Sequence, residues 1–169
     1  MQADAYYYDA VLWAVEKGIT SGTSATTFAP DATVTRGQTV TFLHRANGSP
    51  AVSGSSPFND VAADAYYTAA VQWAVTEGVT SGTSATTFAP DAPCTRAQIV
   101  TFLYRMQNSP ESKAENPFTD VKADAYYANA VLWAVENGVT TGASATTFDP
   151  AGDCTRGQIV TFLYRCLSK

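Results

Sequence analysis

The sequence predicts a mainly α protein made of three two-helix repeats, each sixty residues long and with a long internal loop. Trp13, Trp73 and Trp133 lie sixty residues apart, as do Arg36, Arg96 and Arg156, and no gap is needed to align the copies. Between residues 19–45 and 79–105 only six of 27 positions differ, so the copies share one local structure. Each copy also carries two apolar stretches at helical spacing on either side of a segment rich in Ser, Thr, Gly and Pro.

The elements follow in order. The first helix of copy one is expected over residues 5–17, with Asp4 as N-cap and Gly18 at the left-handed C′ position. Tyr7, Val11, Ala14 and Val15 form its apolar stripe. A loop follows over 19–34, in which residues 26–28 run extended and Phe28 acts as a plug. The second helix is expected over Arg36–Ala46, because Thr35 is a good N-cap and Gln38 completes a capping box. Val40, Leu43 and Ala46 line its buried side, and the box recurs at Thr95/Gln98 and Thr155/Gln158. Ser, Pro and Gly then break the pattern in linkers 48–57 and 108–117, which leaves repeats at 1–47, 58–107 and 118–169.

A Phe-x-Asp-Val pattern opens copies two and three, as Phe58, Asp60 and Val61 and as Phe118, Asp120 and Val121. Met1 falls where Val61 and Val121 sit, so copy one is read as a cut-down first repeat of something longer. Two short helices per copy bury little surface alone, and the copies must pack on one another, as an open stack or closed around an axis.

Composition narrows the function classes. The chain has 169 residues, is 46% hydrophobic and only 15% charged, which is the profile of a folded protein. No apolar run approaches the ~20 residues of a membrane helix, so no membrane insertion is expected. The net charge is −5 and no Lys/Arg cluster exists, which argues against nucleic acid as a partner.

All six arginines occupy two positions of the repeat. Arg45, Arg105 and Arg165 stand in the last turn of the second helix, where a cation complements the helix dipole. Arg36, Arg96 and Arg156 stand in its first turn, where a cation opposes the dipole by about 0.3–1 kcal/mol. Such a cation calls for an anion. Either an internal carboxylate such as Asp31 or Asp91 supplies it, or a bound acid does, held by the arginine fork and free N–H groups at the helix start. Gly37 and Gly157 admit a close neighbour, with the adjoining repeat's backbone as the simplest candidate.

Trp13, Trp73 and Trp133 are read as core. The tyrosine runs 6–8, 66–67 and 126–127 cannot all face one core, so some rings are exposed and suit a sugar or a protein partner. Catalysis finds no support. His44 aligns with Tyr104 and Tyr164 and is expected on a helix surface, and no nucleophile, phosphate-loop, cofactor or metal-ligand pattern is present. Cys94 and Cys154 align with Val34 and are expected as buried free thiols, with a Cys94–Cys154 bridge the alternative.

With these residues in hand, the chain resembles three tandem S-layer homology domains. The resemblance rests on Phe58–Val61, the Tyr66/Tyr67 pair, Ala70–Val71, Gly78–Val79 and the Thr95–Gln98 signature, with counterparts sixty residues away. It implies a three-pronged spindle about a pseudo-threefold axis, monomeric as an isolated module and located at the cell wall or S-layer of a Gram-positive-type bacterium. It further implies non-covalent anchoring of a surface protein to a secondary cell-wall polysaccharide. In that picture Arg36, Arg96 and Arg156 meet an acidic sugar in grooves between prongs. Gln38, Gln98, Gln158, Tyr66, Tyr126, Ser21, Gly22, Ser81 and Gly82 shape those grooves. The family's signature Glu is Gln here, which keeps the capping box and removes a charge. Copy three carries Ala151, Gly152 and Asp153 where copy one has Asp31, Ala32 and Thr33, so its groove is expected to bind differently or not at all. A groove that needs the absent Phe-x-Asp-Val of copy one is expected to be impaired. The competing class is a protein-interaction or surface-assembly module without a glycan, in which the arginines only join the prongs.

Overall fold

The computed structural model describes residues 2–168, among which six helices and no strands form: α1 Tyr8–Glu16, α2 Arg36–Ala46, α3 Thr68–Thr76, α4 Arg96–Met106, α5 Ala128–Glu136 and α6 Arg156–Leu167. The second helix of each copy therefore begins where its capping residues place it. Thr35, Thr95 and Thr155 accept from the N–H groups of Gln38, Gln98 and Gln158, and each glutamine side chain accepts in return from the capping threonine's N–H.

The first helix starts later than its composition suggests. Asp4 is not the N-cap of α1; Tyr7 occupies that place, in helical conformation and without a side-chain cap. The residues before it close short turns instead, with the Tyr8 N–H donating to Ala5 O, and copies two and three repeat this at Thr68 and Ala128. At the other end Gly18 takes φ +69°, the left-handed position its sequence context calls for.

Helices pair between copies rather than within them. α3 packs on α2, α5 on α4, and α1 on α6, so the first and last copies touch and the set of contacts closes on itself. A ring of backbone hydrogen bonds joins the loops that precede the signature helices. Val34 N–H donates to Cys154 O at 2.9 Å, Cys154 N–H to Cys94 O at 3.0 Å, and Cys94 N–H to Val34 O at 2.9 Å. Three otherwise orphaned donors and acceptors are satisfied by contacts that no single copy can make.

The core lies where these loops and α2, α4 and α6 meet. Val34, Cys94 and Cys154 are fully buried, as are Leu43, Leu103 and Leu163. No disulfide forms; both buried cysteines are free, and desolvation pushes their thiols up to about 11 (Cys94) and about 12 (Cys154). Trp73 and Trp133 are buried as expected, whereas Trp13 is only half-buried. His44 corrects the expectation of a surface role. It is 9% exposed, lies against the Trp73 ring, and its Nε2 hydrogen-bonds Pro50 O at 2.9 Å. Val15 also departs from its stripe and is 51% exposed.

Candidate functional site

The first turn of α2 spends its donors inside the protein. The Arg36 N–H reaches Ala92 O and the Gly37 N–H reaches Pro90 O, both in copy two, and α4 and α6 repeat the arrangement on copies three and one. This approach explains the small residue at the second helical position. A Cβ on Gly37 would sit 2.9 Å from Tyr67 Cδ1 and 3.1 Å from Pro90 O, so the neighbouring copy is what comes close. It also removes the helix start as an anion site, because no free N–H groups remain there.

The arginine side chains leave their own helices for the next copy. Arg36 Nε donates to Phe88 O at 2.8 Å, and its guanidinium carbon lies 4.7 Å from the Phe88 ring centre and 5.5 Å from that of Phe102. Arg96 is held in the same way by Phe148 and Phe162, and Arg156 by Phe28 and Phe42. Each wrong-end cation is thus answered by two aromatic faces and a carbonyl. Neither Asp31 nor Asp91 pairs with these arginines, and Nη2 of all three is buried without a hydrogen-bond partner among the described residues. Burial pushes the Arg36 and Arg156 guanidinium groups below their ordinary value, since the charged form loses hydration.

Beside each of these arginines lies a groove to which all three copies contribute. One groove, of about 390 Å³, combines Arg36 of copy one, Tyr126 of copy three, and Ser81, Gly82, Gln98 and Arg105 of copy two. A second, of about 320 Å³, combines Arg156, Tyr66, and Ser21, Gly22, Gln38 and Arg45. The third, of about 200 Å³, combines Arg96, Tyr6, and Thr141, Gly142, Gln158 and Arg165. Every residue that the resemblance assigned to a groove lines one of the three, and Ser21, Gly22, Ser81 and Gly82 are joined by Thr141 and Gly142.

Other groove residues were not legible as such. Arg45, Arg105 and Arg165 look like dipole partners, yet each places a second cation in a groove; Arg45 Nη1 donates to Ile19 O at 3.2 Å. Tyr6 supplies the ring of the third groove and was hidden in a run of tyrosines. Tyr6, Tyr66 and Tyr126 are 60%, 63% and 65% exposed, so their rings stand as open faces at the groove mouths. Partial burial raises their hydroxyls above the ordinary value.

The first residues of a tight loop line each groove. Ser24 Oγ and Thr27 Oγ1 lie 2.6 Å apart, and the Thr23 N–H donates to Thr27 O. Gly22 takes φ +88°, and a Cβ there would meet Thr27 O at 2.4 Å, so only glycine closes this loop. Gln38, Gln98 and Gln158 use their carbonyl oxygens in the capping boxes, which leaves the amide N–H₂ as a donor on the groove side. Among the described residues no Asp or Glu lines any of the three grooves, although the chain is acidic overall.

The S-layer homology domain family matches this chain at residues 2–40, 57–100 and 117–160, which are the three copies. The chain is 31% identical over 120 residues to a cell surface protein of Thermoanaerobacter kivui, covering 68% of the chain and 16% of that protein. It is 39% identical over 100 residues to a surface-layer 125 kDa protein of Lysinibacillus sphaericus, covering 58% of the chain and 8% of that protein. An endoglucanase of Bacillus sp. strain KSM-635 is 33% identical over 120 residues, 71% of the chain and 12% of the enzyme. The chain thus spans between 8% and 16% of the length of these curated relatives.

Proposed function

The chain belongs to the S-layer homology domain family, and from that premise we propose that it anchors a surface protein to the bacterial cell wall by binding an acidic cell-wall polysaccharide. The relatives named as cell surface and surface-layer proteins support the location. The endoglucanase shares only 12% of its length, so its activity does not carry over, and a non-catalytic anchoring role fits a module found on otherwise different proteins.

The observation that carries the ligand is charge. In a chain of net charge −5, each groove holds two arginines and no carboxylate. An acidic sugar supplies the missing counter-charge, with the groove arginines and the glutamine amide as donors and the exposed tyrosine as a flat face for the ring. The cyclic contacts favour a three-pronged spindle about a pseudo-threefold axis, with repeats at 1–47, 58–107 and 118–169 and one groove between each pair of prongs. The third groove is the smallest, which supports the reading that it binds differently or not at all.

The buried first-turn arginines are poor probes, because removing them disturbs the fold as well as the ligand. Tyr126 and Arg105 are better. The purified chain is co-sedimented with washed Gram-positive cell walls, before and after their non-peptidoglycan polysaccharide is stripped. Binding that disappears on stripping, and that weakens in Arg105→Ala with only a small fall in Tm, is the expected result. Equal binding to both wall preparations, or none to either, rejects the glycan reading.

A further inference from the structure

Arg105 lines two openings rather than one. Besides the Arg36 groove it borders a second opening of about 490 Å³, which shares Thr80, Ser81 and Arg105 with that groove. Its size lies within the roughly 300–1,000 Å³ of small-molecule sites. The parts that join the two openings are fixed. The Phe58 ring, on the lining of the second, stacks on Phe88 at 5.8 Å and lies over Gly82 of the groove, where a Cβ would meet its Cε1 at 2.5 Å.

Arg105 is equipped to serve both sides. It is half-buried, whereas its counterparts Arg45 and Arg165 are exposed. Its one hydrogen bond among the described residues, from Nη1 to Val79 O, is long at 3.4 Å, so most of its five donors are left for a ligand. The Ser81 hydroxyl, on the same shared wall, makes no hydrogen bond among the described residues. Pro57, Phe58 and Val75 add apolar surface, and Arg105 is the one charged residue on the lining among the described residues. That combination suits a pyranose, whose C–H faces lie on apolar surface while its hydroxyl edges take hydrogen bonds. With no cation of its own beyond the shared arginine, the opening suits an uncharged sugar. Its continuity with the groove says which one, because consecutive units of a polysaccharide are joined through a single oxygen and fill adjoining depressions.

We infer that the second opening is a subsite for an uncharged sugar, the unit linked to the acidic sugar beside Arg36, with Arg105 bonding to both. The inference rests on the glycan reading of the groove and adds that copy two reads two consecutive units of the chain. Arg105 and Ser81 set the spacing between the units, and Val75 and Pro57 receive the second ring.

For the test, acidic polysaccharide stripped from washed Gram-positive walls is cleaved, sorted by length and titrated into the whole chain, with backbone amide signals followed by NMR. Single acidic sugars are expected to shift Gly82 and Gln98 in the groove. Pieces of two or more units should also shift Val75, Gly78 and Ala85, and should bind at this site at least about fivefold more tightly. Ala85→Trp puts bulk into the second opening from an exposed position that does not line the groove. It should leave Tm and single-sugar binding unchanged and abolish the fivefold gain. Single sugars and longer pieces that bind alike, or a gain that survives Ala85→Trp, overturn the subsite while the glycan reading of the groove stands. If no piece of any length shifts Gly82 or Gln98, the glycan reading falls and the subsite falls with it.

Discussion

Phe28 and Phe88 hold the same place in consecutive copies and do the same work for an arginine, yet their backing differs. Phe88 is fully buried, stacked against Phe58 and with its N–H held by Asp60, while Phe28 has no such backing among the described residues and is 9% exposed. Each ring carries a groove arginine on its front face, Arg36 on Phe88 and Arg156 on Phe28. A groove here has two layers. The arginine presents charge, and the phenylalanine behind it is as rigid as the segment that backs it. Among the described residues the Arg36 wall is backed and the Arg156 wall is not, so the Arg156 groove should respond more weakly to every change that acts through this wall.

The largest effect should come from removing the backing. Phe58→Ala is expected to cost about 3 kcal/mol, as for other buried phenylalanines, read from the urea unfolding midpoint. A loss below about 1 kcal/mol would mean that the segment adds little and that copies one and two are equivalent after all. Next comes the arginine itself. Arg36→Ala should cost about 2–3 kcal/mol through its lost carbonyl bond and two aromatic faces, and Arg156→Ala about 1 kcal/mol less. Equal losses from the two would break the comparison.

Binding should show a smaller contrast. Tyr126→Ala is expected to weaken wall co-sedimentation by about tenfold, the loss of one aromatic contact, while Tyr66→Ala in the Arg156 groove does less, and neither moves Tm. The smallest effect is in acid. Burial raises the Asp60 and Asp120 carboxyls, but the backbone N–H groups they accept from outweigh it, and nearby Arg36 and Arg96 add to this, so both end below the ordinary carboxylate value. Their contribution is present above the unfolded value near pH 4 and is lost as pH falls through the lower folded value. Tm measured from pH 6 down to pH 3 should therefore fall less steeply in an Asp60→Asn, Asp120→Asn double variant. An unchanged slope would show that the two carboxylates do not stabilise their copies.

Much of this molecule was legible in the residues because the signals were local. Thr35 and Gln38 sit three apart and cap the helix that follows them, and Gly18 ends the one before. The groove residues were legible individually, as a wrong-end arginine or a surplus tyrosine, and the family resemblance gathered them into one site. Arg45, Arg105 and Arg165 were not, because a last-turn cation is fully explained by its own helix until a neighbour's tyrosine and arginine are placed beside it. His44 misled for a related reason, since what buries it is Trp73 of the next copy.

The sequence by itself determined the number of copies, the start of each signature helix, and the residue types available to a ligand, since repetition, capping and turn conformation depend on residues only a few positions apart. Only the tertiary structure decided which copy meets which. Arg36 reaches Phe88 across 52 positions and Arg156 reaches Phe28 across 128. Those contacts turn an apparent conflict with the helix dipole into an aromatic cage. They also consume the helix-start N–H groups, and near-identical copies carry no local mark of the neighbour that will cover them.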